Sequence, residues 1–109
     1  MSEANLQASC FQWAYNTYPD LRGLLFSVPN GGTRNAREGQ VLKATGTTAG
    51  IPDMVCLYKG IVGFEFKSST GSVSPVQKKI HEVWRKNYIP VHIITQKDQF
   101  EAIIKEVVE

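Results

Sequence analysis

The sequence predicts an α/β domain, a small mixed β-sheet flanked by helices in the order helix, strand, strand, strand, helix, strand, helix. Three observations carry that prediction. Apolar residues recur at helical spacing near the start, in the middle and at the end of the chain, and between these segments stand short apolar runs bounded by Pro, Gly and Asp. Two of the runs are close enough to form a hairpin, which makes an antiparallel pair. A strand-helix-strand passage follows, and it implies a right-handed crossover and a parallel pair. The 109 residues suit one domain over 1–109 with a modest single core.

Taken in order, Ser2 to about Thr17 reads as a helix. Ser2 is placed to cap it, Leu6, Cys10, Trp13 and Ala14 recur on one face, and Pro19-Asp20 ends it. Leu24 to Val28 is a short buried strand stopped by Pro29. Asn30 to Gly50 is a long polar loop, rich in Gly and Thr, with one helical turn around Arg37 to Lys43. Loops of that length inside a compact domain are usually functional or disordered, and the base of this one sits between the first strand and Asp53. Met54 to Tyr58 and Ile61 to Lys67 form the hairpin. Ser74-Pro75-Val76-Gln77 opens the next helix, with Ser74 as cap, Pro75 in the first helical position and Gln77 able to close a capping box. Val76, Ile80, Val83 and Trp84 make its apolar stripe. Val91 to Ile94 is a further buried strand, and Phe100, Ile103, Ile104, Val107 and Val108 mark a final amphipathic helix.

The chemistry concentrates in the hairpin. Glu65 and Lys67 lie inside the apolar run Ile61-Val62-Gly63-Phe64-Glu65-Phe66-Lys67. The two-residue period of a strand turns both charges to one face and both phenylalanines to the other. With the turn centred on Lys59, Asp53 falls opposite Glu65; a two-residue turn at Lys59-Gly60 would shift the pairing by one. Facing residues have Cβ atoms about 4.5–5.5 Å apart, close enough for two carboxylates to share a divalent cation. Two such charges repel, and a bound metal is the usual remedy. The plainer reading is an Asp that caps the hairpin and a Glu65–Lys67 ion pair on an edge strand, as a small interaction protein could carry.

Other functional classes receive little support. The net charge of +2 is too small to diagnose a nucleic-acid binder, but its distribution is uneven. Arg34, Arg37 and Lys43 share a stretch opposed only by Glu38, and Lys78, Lys79, Arg85 and Lys86 cluster later. Asp98, Glu101, Glu106 and Glu109 gather at the end. No apolar run approaches the roughly 20 residues of a membrane span, and the start lacks a basic-then-apolar signal pattern. Cys10 and Cys56 have no metal-ligand spacing and read as buried free thiols of a reducing, cytoplasmic protein. His81 and His92 stand alone and read as surface or packing residues; without Cys/His clusters, zinc is disfavoured.

From Glu3 through the last strand, the chain resembles the VRR-Nuc (virus-type replication–repair nuclease) family of the PD-(D/E)xK superfamily. The resemblance rests on Val28-Pro29-Asn30-Gly31-Gly32-Thr33-Arg34-Asn35, Lys43-Ala44-Thr45-Gly46, Ala49-Gly50-Ile51-Pro52-Asp53, Glu65-Phe66-Lys67 and Ser74-Pro75-Val76-Gln77-Lys78, all in order. It implies a restriction-endonuclease-like core in which Asp53 and Glu65 hold a metal, the carbonyl of Phe66 joins them and Lys67 is the catalytic lysine. Glu3, with Gln7 one turn later, matches the family's amino-terminal acidic position and becomes a further candidate ligand. Gln77 matches a glutamine near the site and is counted with the catalytic residues.

The implied cofactor is Mg²⁺ or Mn²⁺, and the implied reaction is hydrolysis of DNA phosphodiester bonds. Asn30, Arg34, Arg37, Lys43, Lys78 and Lys79 are the candidate phosphate contacts. No base-reading module is visible, so structure-selective binding is expected. Small stand-alone members of the family look like four-way-junction resolving enzymes, and two matched cuts by chains with one site each imply a homodimer. The stand-alone length also suggests a phage or mobile-element origin. The competing expectation is a catalytically silent DNA-binding module of the same fold.

Overall fold

The computed structural model describes residues 2–29 and 35–109. Helix α1 (Glu3–Thr17) starts where the Ser2 hydroxyl accepts the Asn5 N–H at 3.1 Å, and it buries Leu6, Cys10 and Ala14. A short 3-10 turn, Pro19–Leu21, seats Leu21 in the core and leads to β1 (Leu25–Ser27). Then come α2 (Ala36–Ala44), β2 (Met54–Cys56), β3 (Val62–Phe66), α3 (Pro75–Lys86), β4 (Val91–Ile94) and α4 (Lys97–Val108). The sheet runs β1-β2-β3-β4. Its first two pairings are antiparallel and its last is parallel, so the expected mixed sheet and crossover are both present.

Strand β3 divides the molecule. Phe64 and Phe66 point to one face, where their rings lie 4.8 and 5.9 Å from that of Phe100 on α4. Trp13 of α1 closes on the same ring edge-on. This aromatic cluster joins Leu6, Cys10, Met54, Ile94 and Ile104 in a core held between α1, α4 and the sheet. Gly63 and Glu65 point to the other face, beneath α3. The absence of a side chain at Gly63 lets Trp84 and Pro52 approach: a Cβ there would lie 3.0 Å from each.

The structure corrects four sequence expectations. The segment after β1 holds a nine-residue helix, not a single turn, so a helix stands between the first two strands. Asn35 caps α2 by accepting the Glu38 N–H at 2.8 Å, and none of its side chains is buried, which is why apolar periodicity does not reveal it. Strand β1 is an edge rather than a buried strand: Leu25 is inside while Phe26 is 39% exposed. At the other edge, His92 and Ile93 of β4 are only partly covered, with Val91 and Ile94 buried. On α3 the buried residue is His81, with Ile80 and Trp84 half-buried, and Val76 and Val83 face outward. The helix is rotated toward a polar contact with Glu65.

Gly50, where the chain returns from α2 toward Asp53, is fixed by its backbone. Its φ is +88°, and a Cβ would sit 2.7 Å from the Val76 carbonyl oxygen of α3. Left-handed geometry costs an L-residue roughly 1–2 kcal/mol before any clash is added. Gly50→Ala should therefore lower unfolding stability by about 2 kcal/mol or more, read as a fall in the urea midpoint at unchanged slope. Gly39→Ala, inside α2 with open space around it, should instead raise stability by about 0.5–1 kcal/mol.

Candidate active site

The hairpin register brings the two carboxylates together. Met54 pairs with Phe64, Val55 with Gly63 and Cys56 with Val62, a register centred on Lys59 that sets Asp53 across from Glu65. Lys59 and Gly60 take positive φ values of 53° and 137° to close the turn. The amides of Gly63 and Lys67 bond the carbonyls of Pro90 and Ile94 on the β4 side. Backbone alternation therefore turns both amide groups of Phe66 toward β2. There the Phe66 N–H donates to Asp53 Oδ2 at 2.8 Å. The Phe66 carbonyl is thus aimed at the edge that carries Asp53. Pro52 has already left the ladder and folds over the α3 face, where its ring would meet a Cβ on Gly63 at 3.0 Å.

Glu65 is only 1% exposed. Its Oε1 lies 3.0 Å from His81 Nε2, and its Oε2 accepts from Gln77 Nε2 at 3.3 Å. Gln77 also accepts the Ser74 N–H on its Oε1 at 2.9 Å, while the Ser74 hydroxyl accepts the Gln77 N–H at 3.2 Å. The capping box is real, and it fixes which end of the Gln77 amide reaches Glu65. With the oxygen held by the helix cap, the NH₂ group must face the carboxylate. No buried side-chain nitrogen or oxygen among the described residues lacks a hydrogen-bond partner.

Burial pushes the Glu65 carboxyl up to about 9, reinforced by the hydrogen bond and the like charge of Asp53; the Lys67 ammonium opposes this, and Glu3 adds a little. Burial, with Arg85 second, holds His81 below the usual imidazole range. Although the Glu65–His81 distance is that of an ion pair, both shifts favour the uncharged forms. In metal-free protein the pair is best described as a carboxylic acid hydrogen-bonded to a neutral imidazole.

The other expected residues are placed as follows. Lys67 is half-buried and, two residues after Glu65, shares its face. Glu3 reaches the rim: its Oε2 accepts the Ser68 N–H at 3.3 Å. Gln7 is half-buried one turn along α1 and lines a groove with Phe11 and Met54. Lys78 and Lys79 are exposed on the first turn of α3, next to Gln77, and Arg37 and Lys43 are exposed on α2. Asn30 and Arg34 lie outside the described residues. Cys10 and Cys56 are buried free thiols. His92 packs against Phe64, as expected of a packing histidine.

His81 departs from expectation. It is buried against the central carboxylate, and the readable signal was its position one helical turn after Gln77.

Among the described residues, no three His, Cys, Asp or Glu side chains group closely enough to hold a metal by themselves. Two carboxylates and a backbone carbonyl converge instead, an all-oxygen donor set. That fits Mg²⁺ or Mn²⁺, which keep several waters and need few protein ligands. Among the same residues, no helix is long and apolar enough to cross a membrane.

No family profile and no curated protein matches the chain. A solved structure described as a VRR_NUC domain protein superposes with a TM-score of 0.81, covering 99% of this chain and 88% of that one at 18% identity. The chain has the VRR-Nuc fold. Its mixed four-stranded sheet flanked by helices is consistent with a PD-(D/E)xK-like core. Within the VRR-Nuc fold, the carboxylates sit where β2 begins and β3 ends, beside α3.

The raised Glu65 carboxyl has a readable consequence. Because its folded value lies above its unfolded one, its contribution to stability is complete at acid pH and is lost as pH rises toward 9. Above pH 7, His81 is neutral in both folded and unfolded states, so Glu65 dominates the difference. In chelator, Glu65→Gln should become progressively more stable than the wild type from pH 7 to 9, by up to about 1.4 kcal/mol per pH unit. Parallel melting curves of the two proteins across that range would contradict the assignment.

Proposed function

We propose that this chain is a metal-dependent DNA endonuclease that cuts four-way junctions or other branched DNA as a homodimer. The observation that carries the reading is the convergence of Asp53, Glu65 and the Phe66 carbonyl on one strand edge, with Lys67 on the same face, inside a VRR-Nuc fold. An ion pair on an exposed edge strand would not be 1% exposed, and it would not need two donors from a packed helix.

A bound Mg²⁺ or Mn²⁺ supplies charge relief at the phosphoryl oxygens and an ionisable water. The remaining work falls to the chain itself. Asp53 and Glu65 would hold the ion, Glu65 releasing its proton as it binds. Lys67 places a positive charge where the pentavalent phosphate gathers negative charge, or orients the attacking water. Lys78 and Lys79 on α3 and Arg37 and Lys43 on α2 contact backbone phosphates, which position a substrate without reading its sequence. The absence of a base-reading element among the described residues supports selection by DNA shape, and the sequence resemblance to small junction-resolving enzymes supports a two-fold dimer.

Purified protein should cleave junction, flap and duplex DNA unequally, with branched substrates preferred, and only when Mg²⁺ or Mn²⁺ is present. Asp53→Ala and Lys67→Ala should each reduce cutting by about 100-fold or more while retaining junction binding. Mn²⁺ at 100 times its Kd should stabilise the wild type by about 2.7 kcal/mol and leave Asp53→Ala unmoved. Tight binding with no cleavage of any substrate would leave a catalytically silent DNA-binding module with this fold. Replacing Arg37, Lys43 or Lys78 should flatten the salt dependence of binding by about 0.9 in slope for each phosphate that is no longer neutralised.

A further inference from the structure

We infer that His81 is a positioning residue for Glu65. Together with Gln77, one turn earlier on the same helix face, it occupies one side of the carboxylate and leaves the other side turned toward Asp53 and the Phe66 carbonyl. The inference rests on the nuclease reading above and extends it to a residue that touches neither substrate nor metal.

Three observations converge on it. His81 is 1% exposed, and an imidazole at that depth costs stability unless its nitrogens are satisfied; an apolar residue would fill the space under α3 without that cost. Its Nε2 meets Glu65 Oε1 at 3.0 Å, across sixteen residues of sequence. Gln77 meets the other oxygen, Oε2, at 3.3 Å, so each carboxylate oxygen has one partner from α3. A carboxylate offers about four acceptor positions over its two oxygens. With one on each oxygen taken from the α3 side, the remaining pair projects from the opposite side, where Asp53 stands. Partners of this kind fix a ligand's orientation and typically change metal affinity by roughly 10- to 100-fold when removed.

The geometry also separates His81 from Gln77. Gln77 serves the helix cap as well as the carboxylate, whereas the described side-chain contact of His81 is with Glu65. Replacement of His81 therefore tests orientation of the carboxylate without removing the cap.

The test compares wild type, His81→Phe and His81→Gln. His81→Phe keeps a flat ring of similar volume and removes the hydrogen-bonding nitrogen; His81→Gln returns a polar amide group near the position of Nε2. Mn²⁺ binding is measured by calorimetry without DNA, alongside melting in chelator and the metal dependence of cleavage. His81→Phe should weaken Mn²⁺ binding by roughly 10-fold or more. Its cleavage should fall at low Mn²⁺ and recover at high Mn²⁺, with KM for the junction unmoved. His81→Gln should stay within about threefold of wild type in Mn²⁺ affinity, the rescue expected if the hydrogen bond to Glu65 is what matters.

Should His81→Phe fail to fold in chelator, His81→Leu takes its place under the same expectations. Wild-type Mn²⁺ affinity in the apolar variant, or equal impairment of His81→Phe and His81→Gln, would overturn the positioning role while leaving the nuclease reading intact. A wild-type protein that neither binds Mn²⁺ nor cuts DNA would remove both.

Discussion

The burial of Glu65 is the constraint from which the rest of the structure follows. A carboxyl group that is 1% exposed must be hydrogen-bonded or neutralised, because an isolated charge at that depth is prohibitively costly. Each neighbour answers part of that demand. Helix α3 brings a glutamine and a histidine, one to each oxygen. Strand β2 brings Asp53, whose own charge is partly met by the Phe66 amide. Burial holds the carboxyl in its neutral form at neutral pH.

The surrounding architecture makes such a position possible. Sandwiching β3 between α3 on one face and α1 with α4 on the other encloses consecutive residues of the strand for opposite reasons. Phe64 and Phe66 are buried by apolar packing around Phe100, and Glu65 by polar contacts from α3. The aromatic side anchors the strand, and the anchored strand holds the carboxylate against its helix.

Much of this was legible in the residues. The turn at Lys59-Gly60 and two short apolar runs narrowed the register to two choices, of which the structure takes the one that sets Asp53 across from Glu65, and strand alternation separated the charges from the phenylalanines. Ser74, Pro75 and Gln77 announced the start of α3 because caps are local, written within four residues. Helix α2 was not legible, since it buries nothing and so has no apolar stripe to read. His81 was not legible either, because its partner lies on a strand sixteen residues away. Its spacing from Gln77 put both on one helix face, but only the packed helix shows that this face meets Glu65. The apolar stripe read along α3 pointed to Val76 and Val83, which the polar contact rotates outward.

Gln77 carries one more implication. A single amide group ties the first turn of α3 to the carboxylate at the centre of the site, one atom serving the backbone and the next serving Glu65. Any loosening of that turn, by heat, denaturant or a change at Ser74, is transmitted directly to Glu65 with no intervening side chain to absorb it. Local melting at the head of one helix would therefore disable the centre while the aromatic core was still intact, so the working range of the site is set by its least protected turn.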